Sequence, residues 1–401
     1  MKIPKAAINV INKLEEASFE AYFVGGCVRD MLMGAQPGDW DITTSATPEQ
    51  IKKIFKRTVD TGIKHGTVTI VSGGSNYEVT TYRLDGEYLN FRHPEQVIFT
   101  SELREDICRR DFTVNAIAYH PEKGYIDFFD GIKDIEAKII RGVGDAAVRF
   151  EEDALRMLRA VRFACRLGFD IDNDTFTALQ KNSELIAHVS MERIRDELIK
   201  TFTSEHVEKA GYFTRCEILL HALPFMADYL EKNLEEFLDC LENLQVPERN
   251  AVNVLSLLFK DMDEKKTSQF LRQMKIDNAT ARDVIMISQE IGRKIEPDSY
   301  HVKKVMARIG IENYFSLLEC RRACGEDVNL LRVMGEQIAE RGEPIFIKDM
   351  KINGNVIIER FGVSGVKVGE LLGLLHDEVL REPGKNTEAE LLRIVETLMK
   401  R

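Results

Sequence analysis

Residues 21–44 read AYFVGGCVRDMLMGAQPGDWDITT, a stretch that begins and ends with strand-like runs and has glycines between them. The apolar run AYFV ends at a glycine pair whose second member is Gly26, and Arg29 follows three residues later. Glycines at the end of a strand let backbone N–H groups approach an anion closely. A plain strand-to-helix turn has the same pattern, so both interpretations stay open for these residues alone.

Two acidic residues near the end of the stretch favour the anion-binding interpretation. Asp39 and Asp41 flank Trp40 in GDWDITT. Side chains at positions i and i+2 of a strand point to the same side, so we expect both carboxylates to project together. Such a pair repels unless a cation lies between the charges, and hard oxygen ligands at this spacing suit magnesium. Solvated acids on an exposed strand are the alternative.

The surrounding sequence predicts an α/β head followed by an all-α remainder. Up to about residue 140 it contains short β-rich runs, namely AYFVGG, DWDITT, GTVTIV, YEVTTYR, QVIFT and YIDFFD. The segment SGGSN between two of these runs predicts a hairpin, and Thr47 before PEQIKKIFKR predicts a helix N-cap. From about residue 145 apolar residues recur at helical spacing, as in EEDALRMLRAVRFACRLG, which Gly168 is expected to end.

Composition narrows the class of protein. The 401 residues, 44% apolar and 30% charged, are typical of a globular protein of two to four domains. No run approaches the roughly 20 apolar residues of a membrane span, and the first 20 residues predict an amphipathic helix instead of a signal peptide. Seven cysteines without a framework spacing favour free thiols and a cytoplasmic protein. Cys320 and Cys324 lie one turn apart, but nothing completes a metal site, which favours a structural role.

Two further motifs are rich in arginine. RRDFTVNA, which contains Arg110, suits either a clamp on a triphosphate or a surface charge cluster. In EEDALRMLRAVRFACR the charged residues Asp153, Arg156, Arg159 and Arg162 recur every three residues, which keeps them on one helical surface. An acid beside an arginine is complementary to the amine and ring acceptor of cytosine or adenine, while an internal salt bridge is the alternative. The net charge of −11 argues against indiscriminate nucleic-acid binding, but residues 141–166 hold six Arg against four acids.

These four motifs, in this order and spacing, resemble the class II tRNA nucleotidyltransferase and bacterial poly(A) polymerase family. The resemblance covers residues 1–200 most specifically and extends weakly to INGNVIIERFGVSGVKVGELLGLLHDEV at 352–379. It implies an α+β protein, with a five-stranded mixed sheet in a nucleotidyltransferase head followed by an all-α neck, body and tail. The implied ranges are 1–142 for the catalytic head, 143–200 for the nucleotide-selecting neck, 201–340 for the RNA-binding body and 341–401 for the tRNA-binding tail.

The same resemblance implies roles for individual residues. Asp39 and Asp41 match the catalytic acids that hold magnesium. The residues that match nucleotide contacts are Gly26, Arg29, Arg110, Asp153, Arg156, Arg159 and Arg162. Within this set, Asp153 and Arg156 match the pair that reads the incoming base without a template. Glu192 and Arg193 in MERIRDE match a neck motif with a supporting role.

The reaction implied is the addition of C, C and A to the 3′ end of tRNA from CTP and ATP, with release of pyrophosphate. Residues 85–99, DGEYLNFRHPEQVIF, resemble the flexible loop of CCA-adding and A-adding enzymes, although Arg92-His93 stands where the family often has two Arg. Addition of A alone and poly(A) tailing are the nearest alternatives. A noncatalytic RNA-binding protein is disfavoured by the intact acid pair. A small-molecule nucleotidyltransferase is disfavoured by the roughly 250 residues of predicted helix after the head. The sequence does not predict an oligomeric state.

Overall fold

The computed structural model describes residues 3–85, 88–89, 93–94 and 97–400. These residues form two compact units, Met1–Glu235 and Glu236–Arg401. Of the predicted flexible loop, residues 85–99, the parts 86–87, 90–92 and 95–96 lie outside the described residues. Within the described part of the chain, no helix is long and apolar enough to cross a membrane.

The head of the first unit is built on a mixed sheet of seven strands in the order β11-β10-β1-β2-β5-β4-β3. These strands are β1 Ala21–Val24, β2 Ile42–Thr44, β3 Thr58–Gly62, β4 Thr67–Ser72, β5 Ser75–Thr81, β10 Ile117–His120 and β11 Gly124–Asp127. Strands β2 and β5 run parallel, and the other neighbours in this sheet are antiparallel. The short remaining strands are β6 Arg83–Asp85, β7 Tyr88–Leu89, β8 His93–Pro94, β9 Val97–Phe99, β12 Ile139–Ile140 and β13 Asp170–Ile171.

The α+β fold class is confirmed, but the sheet has seven strands instead of five. Two strands of the sheet, β3 and β10, were not among the β-rich runs recognised in the sequence. Both are short, with the sequences TVDTG and IAYH. In one recognised run, QVIFT, the residues Val97–Phe99 form β9, which pairs with β6 and does not belong to the main sheet. The SGGSN hairpin is confirmed: Ser72 pairs with Ser75 around two glycines of positive φ, which is the backbone that a tight hairpin turn requires.

Among the described residues of the first unit, eleven α-helices begin. They are α1 Lys5–Glu16, α2 Gly26–Leu32, α3 Pro48–Ile54, α4 Leu103–Cys108, α5 Gly131–Ala137, α6 Ala146–Glu152, α7 Leu155–Leu167, α8 Asn173–Asn182, α9 Met191–Phe202, α10 Ile218–Ala222 and α11 Ala227–Asn243. The predicted N-cap of α3 is confirmed, because Thr47 and Gln50 form a capping box. Gly168 ends α7 in a left-handed conformation, as predicted.

The long helix predicted from EEDALRMLRAVRFACRLG is interrupted. Helix α6 ends at Glu152 and α7 begins at Leu155, while Asp153 between them is extended, with φ −143° and ψ 100°. Asp153 accepts a hydrogen bond from Leu155 N at 3.1 Å, which supplies a partner for an N–H group of the first turn of α7. Asp153 therefore precedes the helix that carries Arg156, Arg159 and Arg162.

The described residues of the second unit form helices joined by loops and contain no strand. After the end of α11 its helices are α12 Ala251–Leu258, α13 Glu264–Gln273, α14 Asn278–Ile291, α15 Ser299–Ile309, α16 Ile311–Ala323, α17 Asn329–Glu340, α18 Gly354–Phe361, α19 Val366–Arg381 and α20 Glu388–Met399. The last three pack around one apolar cluster that includes Ile357, Leu375 and Leu391, all fully buried.

Candidate active site

An arginine from a distant part of the chain packs against the glycine turn after β1. Gly25 has φ 79° and ψ −134° and precedes the first residue of α2. A Cβ added to Gly25 would lie 3.1 Å from Nη1 of Arg110. A side chain at this position would therefore strain the backbone and press on the guanidinium.

The two acids lie immediately before β2, just outside the strand that the sequence predicted would contain them. Asp41 O accepts a hydrogen bond from Val24 N at 3.1 Å, so this segment already runs alongside β1. Between the acids, Trp40 is buried and its ring lies 5.1 Å from that of Phe23. Alternation then directs the acids away from the core, which leaves Asp39 exposed and Asp41 half-buried.

Burial and the neighbouring Asp39 raise the pKa of the Asp41 carboxyl to about 6. The Arg110 guanidinium opposes this rise, while Glu78 on the adjacent strand β5 adds to it. Glu78 lies outside the motifs that the sequence indicated. Its only sequence signal was an acid on a predicted strand, and the parallel pairing of β2 with β5 brings it near Asp41. Within the described residues, no three acidic, His or Cys side chains converge closely enough to form a metal site. A carboxylate pair that is costly to ionise together is nevertheless a donor set that fits a hard divalent cation.

Arg110 lies against the glycine turn and near Asp41. Its charge acts on Asp41, and its Nη2 lies 3.7 Å from Oδ2 of Asp106. Burial lowers the pKa of the guanidinium, against the opposing charges of Asp106 and Asp41. Its buried Nε has no hydrogen-bond partner in the structure. A buried donor without a partner costs free energy, so this atom is suited to an incoming anion.

Arg29 faces protein partners. Its side chain is 2% exposed, and its Nη2 and Nε donate to Asp30 while its Nη1 donates to Asn115 Oδ1 at 2.6 Å. The last bond joins α2 to the RRDFTVNA segment. Gly26 lies at the start of the same helix. Arg29 thus links α2 to the RRDFTVNA segment near the site. Its contact with a nucleotide stays a prediction.

Asp153 and Arg156 lie close in sequence, but each forms an ion pair with another residue. Asp153 Oδ2 accepts from Arg193 Nη2 at 2.8 Å, and Nη1 of Arg193 is buried without a partner. Arg156 donates to Glu152 Oε2 at 2.6 Å and to the carbonyl of Arg109 at 2.8 Å. The arginine of the predicted base-reading pair is therefore tied to the RRD segment of the head, next to Arg110.

Arg159 and Arg162 follow on α7 and pair with acids that the sequence analysis did not single out. Arg159 donates to Asp111 Oδ2 at 3.0 and 2.5 Å. Arg162 is 7% exposed and donates to Glu197 Oε2 at 2.5 Å, with its guanidinium 4.1 Å from the centre of the Phe163 ring. Glu197 belongs to MERIRDE, but the recognised residues in that motif were Glu192 and Arg193. Arg162 is thus packed as a link between α7 and α9.

A buried acid that the sequence analysis missed joins three parts of the site. Asp106 is fully buried and accepts from Thr43 Oγ1 at 2.9 Å, one residue after the start of β2. It also accepts from Nε and Nη2 of Arg109 at 3.0 and 2.7 Å and from the backbone N–H of Arg83. The sequence carries no signal for this role of Asp106, because its partner Thr43 lies 63 residues away in the chain.

Asp111 provides a test of the link between the RRD segment and α7. Burial alone would raise the pKa of this carboxyl, but Arg159 and the hydrogen bonds bring it down to about 2, below its usual 3.8. A depressed folded pKa stabilises the fold above the usual pKa, and the stabilisation is lost as the pH falls toward 2. We expect Asp111→Asn to lower the free energy of unfolding by about 2 kcal/mol at pH 7.

The measurement is urea unfolding of the parent and of Asp111→Asn between pH 7 and pH 3. The difference between their free energies of unfolding should narrow below about pH 4. Asp130→Asn is the matched control, because the Asp130 side chain is 71% exposed and its pair with Lys133 lies at the surface. An equal loss of stability in Asp111→Asn and Asp130→Asn would contradict the stabilising role of Asp111. A stability difference between the parent and Asp111→Asn that stays constant with pH would also contradict it.

Three family models match successive parts of the chain. The poly(A) polymerase head domain matches residues 21–141, and the probable RNA- and SrmB-binding site of polymerase A matches residues 168–230. Domain 2 of tRNA nucleotidyltransferase matches residues 244–395. The first match contains the glycine turn, the acid pair and Arg110.

Whole proteins match along nearly the full length. The CCA-adding enzyme of Lactobacillus johnsonii is 37% identical, over 97% of this chain and 96% of its own. That of Ligilactobacillus salivarius is 37% identical over 94% and 92%. The crystal structure of the Bacillus stearothermophilus CCA-adding enzyme in complex with CTP is 33% identical and covers 100% of both chains, with a TM-score of 0.87. The Thermotoga maritima CCA-adding enzyme complexed with tRNA shares the fold, with a TM-score of 0.65 at 20% identity over 98% and 94%.

Proposed function

The chain belongs to the CCA-adding enzyme family, and from this membership we propose that it adds C, C and A to the 3′ end of tRNA from CTP and ATP, without a nucleic-acid template. The observation that carries the proposal is the meeting of three elements: the Gly25 turn, the Asp39–Asp41 pair and Arg110, whose buried Nε has no partner. An anion-binding turn beside a carboxylate pair is what transfer of a nucleotidyl group requires.

In the proposed reaction the 3′-hydroxyl of tRNA attacks the α-phosphate of the nucleotide, and pyrophosphate leaves. Asp39 and Asp41 would hold magnesium, which when bound supplies positive charge to offset the charge that develops on the phosphates. The rise in the pKa of Asp41 supports this assignment, because the carboxylate pair is poorly compensated by protein groups alone.

Arg110 is proposed to bind the triphosphate. Its guanidinium packs against the turn at Gly25 and is oriented by Asp106, which is itself held by Thr43 and Arg109. Charge-assisted hydrogen bonds to phosphate are stronger than neutral ones, and a fixed guanidinium loses little freedom when it makes them. Arg29 is proposed to brace the turn that holds Gly26, with a nucleotide contact as the family resemblance implies.

Asp153 and Arg156 are proposed to select the base, twice C and then A. Arg193 orients Asp153 by an ion pair, and Glu152 and the carbonyl of Arg109 orient Arg156. Arg159 and Arg162 are proposed to support the nucleotide site mainly through their pairs with Asp111 and Glu197, and Glu192 would have a supporting role. Because Arg156 reaches the RRD segment, base selection would take place beside the triphosphate contact.

The proposed division of labour follows the predicted ranges: head 1–142, neck 143–200, RNA-binding body 201–340 and tRNA-binding tail 341–401. A cytoplasmic location is also proposed, supported by the free state of the seven cysteines, all of which lie in the described part of the chain. Addition of A alone to tRNA ending in CC, or poly(A) tailing, is the alternative that the same head could serve.

One assay separates these activities. Labelled CTP and ATP are offered, with magnesium, to tRNA ending at the discriminator base, to tRNA ending in CC and to an unrelated RNA of similar length. We expect three nucleotides to be added to the first, one to the second and none to the third. Extension of the CC substrate alone would indicate A-only addition, and long products on the unrelated RNA would indicate tailing; either result would overturn the proposal.

A further inference from the structure

Two cysteines that are distant in sequence meet in the second unit. Cys240 Sγ and Cys324 Sγ lie 3.2 Å apart, although 84 residues separate them. Cys240 is buried on α11, while Cys324 directly follows the last residue of α16 and is exposed. In the sequence Cys324 lies one helical turn from Cys320, but in the structure its sulfur contacts that of Cys240.

We propose that Cys240 and Cys324 are an oxidative modification site that closes to an intramolecular disulfide in the presence of a peroxide. A disulfide bond is about 2.05 Å long, so the sulfur atoms must approach by only about 1.2 Å. The segments that carry them are already joined, because Asn243 Nδ2 donates to the carbonyl of Ala323 at 3.3 Å. Closure therefore requires a local adjustment of side chains near an existing contact.

The third cysteine of this region is held apart from the reaction. Cys320 is fully buried, and its thiol donates to the carbonyl of Asn253 at 3.7 Å. Burial raises the pKa of Cys320 and keeps an oxidant in solvent from reaching its sulfur. Cys324 is the member of the cluster that a small oxidant in solvent can reach.

The surroundings of the pair favour an attacking thiolate. The hydrogen bond shared with Cys324 lowers the pKa of Cys240, and the positive charge of Lys260 acts in the same direction. Lys260 is held nearby by ion pairs with Glu236 at 2.6 Å and Asp261 at 2.7 Å. Cys240 is thus the better nucleophile of the two, and Cys324 the more accessible sulfur.

The chemistry balances with hydrogen peroxide as oxidant. Cys324 first gives its proton to solvent, and its thiolate attacks one peroxide oxygen; the O–O bond breaks, the sulfenic acid forms, and the leaving hydroxide takes up a proton to give one water. Cys240 thiolate then attacks the Cys324 sulfur, the S–O bond breaks, and the leaving hydroxide takes up a proton to give a second water. Two thiols lose two electrons in total, and the peroxide gains them.

The test is peptide mass spectrometry of the full-length protein after hydrogen peroxide treatment and blocking with N-ethylmaleimide, without reduction. We expect a Cys240–Cys324 peptide pair that is lighter than the two thiol peptides by two hydrogens and that disappears after dithiothreitol. Closing this loop should also raise the unfolding transition of the second unit by roughly 4–16 °C, reversibly.

Variants make the test specific. Cys324→Ser changes an exposed side chain and should abolish both the cross-linked peptide and the thermal shift, as should Cys240→Ser. Cys108→Ser is the matched control, because Cys108 is also exposed but lies in the first unit, and it should leave both signals intact. Recovery of Cys240 and Cys324 as separate maleimide adducts under conditions that oxidise Cys108 would overturn the proposal. A cross-link between Cys320 and Cys324 would do the same.

Discussion

Asp41→Asn is expected to lower the rate of nucleotide incorporation by about a thousandfold or more while the protein stays folded. The substitution removes one of the two carboxylates proposed to hold magnesium, and a loss of about 4 kcal/mol of transition-state stabilisation corresponds to that factor. The measurement is single-turnover incorporation of CMP into tRNA that ends at the discriminator base, with saturating CTP and magnesium. Asp39→Ala is expected to have the same effect.

The free energy of unfolding of Asp41→Asn shows whether a loss of activity comes from the missing carboxylate or from unfolding. An acid whose folded pKa lies near 6, above its usual 3.8, destabilises the protein when ionised. That cost is fully present above pH 6 and is relieved as the pH falls toward the usual pKa. Asp41→Asn should therefore raise the free energy of unfolding at pH 7, by an amount on the order of 1–3 kcal/mol in the presence of a chelator.

A matched carboxyl-to-amide change is available on the same sheet. Asp60 lies on the edge strand β3, where it pairs with Lys52 at the surface. Asp60→Asn should leave both the incorporation rate and the stability nearly unchanged. Incorporation by Asp41→Asn within tenfold of the parent would remove the acid pair from the mechanism. An equal loss of activity in the Asp60 variant would show that the effect is not specific to this pair.

Arg156→Ala is expected to relax base choice more than it slows incorporation. One hydrogen-bonded base contact discriminates by about 1–3 kcal/mol, so the preference for CTP over UTP should fall by roughly 5- to 150-fold. The readout is the ratio of kcat/KM for CTP and UTP with the same tRNA. Asp153→Ala should relax the same ratio, because the two side chains are proposed to read adjacent groups of one base edge.

Two other arginines of α7 serve as controls for this experiment. Arg166 is exposed, so Arg166→Ala should leave the nucleotide preference unchanged. Arg162 is buried and paired with Glu197, so Arg162→Ala should destabilise the protein by an amount on the order of 3–5 kcal/mol without relaxing the preference. If Arg156→Ala still favours CTP over UTP as strongly as the parent does, Arg156 does not read the base.

The sequence predicted those parts of the site whose chemistry is local. The spacing of Asp39 and Asp41 around a buried Trp40, and the glycines after AYFV, follow from strand alternation and turn geometry, which act over a few residues. The N-cap at Thr47 and the end of α7 at Gly168 are local for the same reason. The order of the four motifs was sufficient to recognise the family, because each motif is contiguous in the chain.

The sequence could not predict ion-pair partners that are distant in the chain. Three-residue spacing suggested that Asp153 and Arg156 face each other, but a break in the helix turns Asp153 to Arg193, 40 residues away. Arg159 pairs with Asp111 at a separation of 48 residues. Helical periodicity describes neighbours one turn apart, so it could not identify these pairs.

The amino-acid sequence by itself thus determined the kind of fold and the local geometry of the proposed site residues, because strand alternation and helix spacing are properties of short segments. Only the tertiary structure decided which charged group orients which other one. It placed Arg110 across from Asp41, Asp106 between β2 and the RRD segment, and Cys324 beside Cys240. Such pairings depend on how strands and helices pack, since packing brings together residues that no spacing rule in the chain relates.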